Sequence, residues 1–284
     1  MNALLEIQNL RVTFPTPHGL IRAVDGVSLS LQPGERLGLI GESGSGKSTL
    51  ALALLRLIRP PGEVSADGIW FDGVDLQRLS DEELRLLRLS EIALVPQGAM
   101  NALNPVLRIR PQMVDALRAH GIHESDDAIE QRLHQLFRSV GLPPDVADLY
   151  PHQLSGGMKQ RVCIATAICL RPKLIIADEP TSALDVVVQR RVILTLRRVQ
   201  QELGAAVMLI GHDMGLMAQF AQRIAVMRDG KIIEINDVKE IFAHPQHPYT
   251  RLLMESLPSL EQKHSIVAAA AAQAVPTAGE NARA

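Results

Sequence analysis

The run GESGSGKST, Gly41 to Thr49, constrains the architecture of this chain more than any other stretch. Its spacing, Gly-x-x-x-x-Gly-Lys-Ser, makes a phosphate-binding loop only when a buried strand enters it and a helix leaves it. Both flanks are present. RLGLIG is a short apolar strand, and STLALALLRLI is an apolar helix expected to stop at Pro60-Pro61-Gly62. In such a loop the backbone N–H groups of Gly41, Glu42, Ser43, Gly44, Ser45, Gly46, Lys47, Ser48 and Thr49 cradle phosphate, and the glycines permit close approach. Lys47 neutralises charge on the β and γ oxygens, and the Ser48 hydroxyl suits Mg²⁺.

Composition narrows the remaining classes. The chain has 284 residues, 46% hydrophobic and 21% charged, which suits one large α/β domain or a core with a sub-domain. A net charge of −2 gives no general reason to expect a nucleic-acid partner. The start, MNALLEIQNLRVTF, reads as a strand and not as a signal peptide. Arg56 and Lys173 interrupt the longest apolar stretches, so a membrane role calls for a separate spanning partner. Cys163 and Cys169 stand six apart on a predicted helix, where steps of about 100° turn them to different directions. They are expected to be buried small residues, not a disulfide or a metal pair.

Up to about residue 95 the pattern is of strands with one strong helix. LLEIQNLRVTF and AVDGVSLSL alternate like half-buried strands, and GIWFDGVDL turns at Asp72-Gly73. From Gln97 to about Tyr150 the pattern becomes helical (MVDALRAHG, AIEQRLHQLFRSVG) and is broken by prolines, as in an insertion. Strands and helices then alternate again: QRVCIATAICL, KLIIAD, VVVQRRVILTLRRVQQEL, AVMLIGH. A hairpin follows with its turn at Asp229-Gly230. From about residue 265 a low-complexity tail is expected to be disordered.

LIIADEP, Leu174 to Pro180, is an apolar strand ending in two acids, at the edge where open α/β sheets bind ligands. There Asp178 would hold Mg²⁺ and Glu179 would orient an attacking water. The plainer alternative is that the two acids cap a helix begun by Pro180 and Thr181. His212 ends a second apolar strand expected beside the first, where it could donate to a γ-phosphate; a lone histidine is more often structural. Gln97, at another strand end, could ligate Mg²⁺ or contact the water. Ser155, Gly156 and Gly157 of LSGGMKQR open a helix that is a second anion-binding start, or only a capped helix. Asp185, in SALD, follows the carboxylates where a loop could cross a dimer interface. His244 and His247 are flanked by prolines that prevent a helical metal pair.

In this order GESGSGKST, Gln97, LSGGMKQR, LIIADEP, SALD and His212 resemble the nucleotide-binding subunits of ABC transporters, over about residues 4 to 255. The resemblance implies a P-loop NTPase (RecA-like) α/β core, an antiparallel β subdomain and an inserted α-helical subdomain. The nucleotide-binding domain would span 1–255, with the insertion at about 97–155 and a C-terminal extension over 256–284. It also implies ATP and Mg²⁺ as ligands, Phe14 stacking on adenine, and Leu154 to Met158 contacting the ATP of an opposite ATPase subunit, a paralogue or a second copy. The insertion would receive two transmembrane permease subunits, served by an extracytoplasmic solute-binding protein, at the cytoplasmic face of a bacterial inner membrane. LSGGMKQR and HPQHPYTRLLMESLP are most similar to dipeptide, oligopeptide and nickel importer ATPases. The cysteines that hold an iron–sulfur cluster in many such subunits are missing, and none is expected.

Three function classes compete. A transport ATPase would close two subunits on ATP and reopen them after hydrolysis; its cargo would be peptides, or alternatively oligosaccharide or nickel. A non-transport ABC ATPase acting on nucleic acid or ribosomes would typically carry coiled coils, tandem halves or zinc modules. An unrelated P-loop kinase or GTPase would leave LSGGM unexplained.

Overall fold

The computed structural model describes residues 3–98, 102–182 and 184–255. The C-terminal extension therefore lies outside the described residues. Two sheets pack through a shared core. The first is antiparallel and holds β1 (Leu5–Thr16), β2 (Gly19–Leu31), β4 (Glu63–Ser65), β5 (Gly68–Phe71) and β6 (Val74–Asp75), with β1 central. The second runs β11-β10-β3-β9-β8-β7, made of β3 (Arg36–Ile40), β7 (Ile92–Val95), β8 (Leu174–Asp178), β9 (Ala206–Gly211), β10 (Arg223–Arg228) and β11 (Lys231–Asp237). Every pairing in it is parallel except the β10–β11 hairpin. That hairpin turns at Asp229 and Gly230, both with positive φ (49° and 78°), as two-residue hairpins require.

Strands β3, β8 and β9 are buried at every position, as expected of parallel strands covered on both faces. Their period of two sorts the side chains into two cores. Leu37, Leu39, Leu174, Ile176, Met208 and Ile210 pack toward the antiparallel sheet and α1 (Lys47–Leu54). Ile175, Ala177, Val207 and Leu209 pack toward the helical side. That side comprises α3 (Ile109–Arg118), α4 (Asp126–Ser139), α5 (Gly156–Ala167), α6 (Val186–Leu203), α7 (Met214–Phe220), α8 (Val238–Ala243) and α9 (Pro248–Glu255). The insertion expected after Gln97 is thus helical, with α3 and α4 burying Met113, Leu117, Leu133 and Phe137.

Two helix ends depart from the sequence expectation. α1 stops at Leu54, well before Pro60. Arg56 turns left-handed (φ 49°), and the Leu57 and Arg56 amides bond back to the Leu52 and Ala53 carbonyls at 2.9 and 3.0 Å. The guanidinium of Arg88 then takes the Leu55 carbonyl at 2.7 and 3.0 Å, so a distant side chain ends the helix. Cys169 lies beyond the end of α5 instead of on it. Burial pushes the Cys163 thiol up to about 12 and the Cys169 thiol to about 11, which makes both poor nucleophiles. A further helix, α2 (Asp81–Ser90), is opened by a reciprocal Ser80–Glu83 capping box and breaks at Leu89 (φ 70°).

Candidate functional site

Parallel pairing brings the carboxyl ends of four strands to one edge. Ile40 is level with Gly211, Asp178 with Ile210 and Val95 with Ala177. The residues leaving those ends are the phosphate-loop segment, Glu179, His212 and, after Pro96, Gln97.

The loop folds back closely on β10. A Cβ on Gly41 would lie 2.1 Å from the Met227 carbonyl oxygen, so only glycine fits. Gly46 has φ 102° and would meet the Ala23 carbonyl at 2.1 Å. It is also the N-cap of α1 and provides no side-chain cap, which leaves first-turn amides for an anion. Lys47 is 5% exposed. Its Nζ donates to the carbonyls of Gly41 (2.8 Å) and Glu42 (2.7 Å) and to Ser45 Oγ (3.2 Å). Burial pushes its ammonium below the ordinary lysine range, opposed by the charges of Glu179, Asp178 and Glu42.

Asp178 is buried, and Ser48 Oγ donates to its Oδ1 at 3.0 Å. Burial raises the carboxyl pKa; the Ser48 bond and Lys47 oppose this, while the neighbouring Glu179 charge adds to it. Glu179 continues the ladder through its amide to Ile210 (2.9 Å) and then adopts φ 43°, a strained conformation for a non-glycine residue. The turn aims both carboxylate oxygens. Gln97 Nε2 donates to Oε2 at 2.9 Å, and His212 Nδ1 stands 3.6 Å from Oε1, an ion-pair distance longer than a hydrogen bond. A cavity of about 170 Å³ lies behind, between the Glu179–Ser182 turn and His212. The capping alternative for the acid pair does not hold: Ser182 N–H closes a turn on the Glu179 carbonyl (3.1 Å), and α6 begins only at Val186.

The remaining expected residues lie elsewhere. Asp185 caps α6, accepting from the Val188 amide at 2.9 Å. Ser155 caps α5 through the Met158 amide at 3.3 Å. Gly157 is needed for packing, since a Cβ there would sit 2.5 Å from Val188 Cγ1 on α6. Ser155 is exposed and Gly156 half-buried at the start of α5, and the side-chain hydrogen bond described for Ser155 is to Met158 in its own helix. Phe14 is half-buried on β1, against Ile58 and the position a Gly62 side chain would take. One residue that no motif singled out lies near the loop: Tyr249, on α9, whose ring sits 4.7 Å under the guanidinium of Arg228, the residue after the Met227 that closes on Gly41. Only the wording HPQHPYTR marked its neighbourhood in the sequence.

A strand–loop–helix turn with the spacing of a phosphate-binding loop, beside paired acids, a glutamine and a histidine at one parallel-sheet edge, is the arrangement expected of a P-loop ATPase of the ATP-binding cassette kind. The description "ABC transporter" matches residues 24–182, and "Oligopeptide/dipeptide transporter, C-terminal region" matches 233–283. The dipeptide transport ATP-binding protein DppD of Escherichia coli K12 is 46% identical over 92% of this chain and 80% of its own length. The oligopeptide transport ATP-binding protein OppD of Haemophilus influenzae is 40% identical over 92% and 81%. Among solved structures, the dimeric ATP-binding cassette MJ0796 in a post-hydrolysis state with ADP and Pi superposes with a TM-score of 0.73 at 29% identity, covering 82% of this chain and 98% of that one. The cbiO1 subunit of Clostridium perfringens gives 0.73 at 27% identity, over 94% and 99%. The chain belongs to the ABC transporter family as an ATP-binding, ATP-hydrolysing member.

Proposed function

We propose that this chain is one ATPase subunit of a peptide importer, working with a second ATPase subunit and two membrane permeases at the cytoplasmic face of a bacterial inner membrane. The observation that carries the hydrolytic part is the setting of Glu179. Its two oxygens face Gln97 at 2.9 Å and His212 at 3.6 Å, one residue from the buried Asp178 that accepts from Ser48. The likeness to DppD and OppD supports the choice of peptides over nickel or oligosaccharide.

In this scheme the Gly41–Thr49 amides hold the phosphates, and Lys47 exchanges the Gly41 and Glu42 carbonyls for β/γ oxygens. Ser48, Asp178 and Gln97 would hold Mg²⁺: a hydroxyl, a carboxylate and an amide are the oxygen donors that ion takes, and few are needed when phosphates supply the rest. When bound, Mg²⁺ neutralises phosphate charge. Glu179 orients the attacking water and accepts its proton, while His212 donates to the γ-phosphate. Phe14 stacks on adenine.

Ser155, Gly156, Gly157 and Asp185 serve the nucleotide of the opposite subunit. Val186 and Val187, 80% and 63% exposed beside Asp185, provide apolar surface for that contact. Val106, 76% exposed ahead of α3, offers apolar surface on the insertion to a permease. The domain spans 1–255 with its insertion at about 97–155, followed by the 256–284 extension. No nucleic acid takes part. The test is ATP-driven uptake of labelled di- and oligopeptides by proteoliposomes holding the assembled transporter and its binding protein. Peptide uptake that Glu179→Gln abolishes supports the proposal. Uptake of Ni²⁺ or oligosaccharide without peptide overturns the choice of cargo.

A further inference from the structure

Glu179 keeps its place through a backbone conformation that its own sequence does not favour. It has φ 43°, uncommon for a residue with a side chain, and it precedes Pro180, which steers the residue before it toward extended backbone. Such a conformation persists only where the surroundings fix it. On the N-terminal side β9 does so, since the Glu179 amide donates to the Ile210 carbonyl at 2.9 Å. On the other side Pro180 has no amide hydrogen to offer.

Ser182 supplies the missing hold. The Glu179 carbonyl accepts two bonds from it, from the Ser182 amide at 3.1 Å and from the Ser182 hydroxyl at 3.0 Å. Two donors on one carbonyl fix the plane of the Glu179–Pro180 peptide, and with it the direction in which the Glu179 side chain leaves. The turn is anchored again from α6: Gln189 Nε2 donates to the Thr181 carbonyl at 3.2 Å, where the Leu184 amide also arrives at 3.3 Å. The cavity of about 170 Å³ borders the turn here, lined by Thr181, Ser182 and Gln189 together with Ile193 and Leu216. A turn beside open space is held less by close packing than by its hydrogen bonds.

We propose that Ser182 and Gln189 are positioning residues for hydrolysis: they hold the Glu179 backbone in its left-handed turn and thereby keep its carboxylate against Gln97 and His212. The proposal rests on the reading of Glu179 as the residue that orients water. Without the Ser182 hydroxyl the backbone relaxes toward the extended form that Pro180 favours, and the carboxylate moves off the water. Phosphate binding belongs to the Gly41–Thr49 loop, at the end of a different strand, and is unaffected.

Ser182→Ala in the assembled transporter removes the hydroxyl and keeps the amide bond. The single-turnover rate of ATP hydrolysis is expected to fall about ten- to a hundredfold, as for a reacting group misplaced by up to about 1 Å. The Kd for ATP stays within about twofold of the parent. Ser182→Thr, which retains a hydroxyl on the same carbon, restores the rate. Gln189→Met, of similar length but without the donor, lowers the rate with the same unchanged affinity. In a Glu179→Gln background Ser182→Ala costs nothing further, because it acts through that side chain. A merely structural hydroxyl would instead lower the melting temperature and leave the hydrolysis rate of the folded chain alone. A parental rate in Ser182→Ala or Gln189→Met, affinity lost along with the rate, no rescue by Ser182→Thr, or a further loss in the Glu179→Gln background would each overturn the proposal. Near-parental hydrolysis by Glu179→Gln alone would instead remove the reading of Glu179 on which the proposal rests.

Discussion

Lys47→Ala separates the two tasks of the loop lysine. In the structure its ammonium donates to three loop oxygens, at 2.8, 2.7 and 3.2 Å. Truncation removes these bonds but also removes a cation that its buried setting disfavours. The two effects oppose each other, so the nucleotide-free melting temperature is expected to change little. Phosphate binding has no such offset. Charged hydrogen bonds contribute about 1.5–3 kcal/mol, so ATP affinity should fall roughly 10- to 150-fold. The same loss shows in melts. ATP at a hundred times the parental Kd stabilises by about 2.7 kcal/mol, and a hundredfold weaker site leaves about 0.4 kcal/mol. Calorimetry on the full chain gives Kd directly. A folded Lys47→Ala chain with parental ATP affinity would refute the role of Lys47 in ground-state binding.

Asp178→Asn should stabilise the free chain and abolish Mg²⁺-dependent hydrolysis. The folded pKa of Asp178 is raised, mainly by burial. Its contribution is therefore complete below the unfolded value of about 3.9 and is lost as pH rises through the folded value. The variant's melting-temperature advantage should accordingly grow from acid toward neutral pH; an advantage confined to acid pH would contradict the burial argument. Ser155→Arg, at an exposed cap, should cost about 1 kcal/mol in α5 stability, leave ATP binding of the single chain nearly intact, and prevent hydrolysis by the assembly. Lost ATP affinity in the isolated variant would place the turn in its own chain's site.

The parts of the site that local spacing dictates were legible in the sequence. A loop between a buried strand and a helix, and acids at the end of an apolar strand, follow from period and composition alone. The adjacency of β8 and β9, expected from their apolar runs, is what sets His212 near Glu179. Contacts fixed by distant residues were not legible. The end of α1 depends on Arg56 turning left-handed and on Arg88 capping Leu55, and neither arginine carries a local signal for this. The capping box of α2 was a readable signal, since Ser80 and Glu83 have the required spacing, yet the surrounding strands masked it. The cap at Ser155 followed from its position before a helix, whereas the cap at Asp185 was not read from the sequence although its place before α6 offered the same signal. The stacking of Arg228 on the Tyr249 ring arises only when α9 and β10 come together in the fold.

The central claim is that Glu179 activates water at a nucleotide site completed by a second subunit. Single-turnover hydrolysis of radiolabelled ATP by the assembled transporter carrying Glu179→Gln tests it most directly. Loss of a general base costs about 10²- to 10⁴-fold in the chemical step, while Lys47 and the loop amides still hold the nucleotide. The expected result is unhydrolysed ATP retained at near-parental affinity in a closed dimer visible by gel filtration. Hydrolysis at a near-parental rate would contradict it.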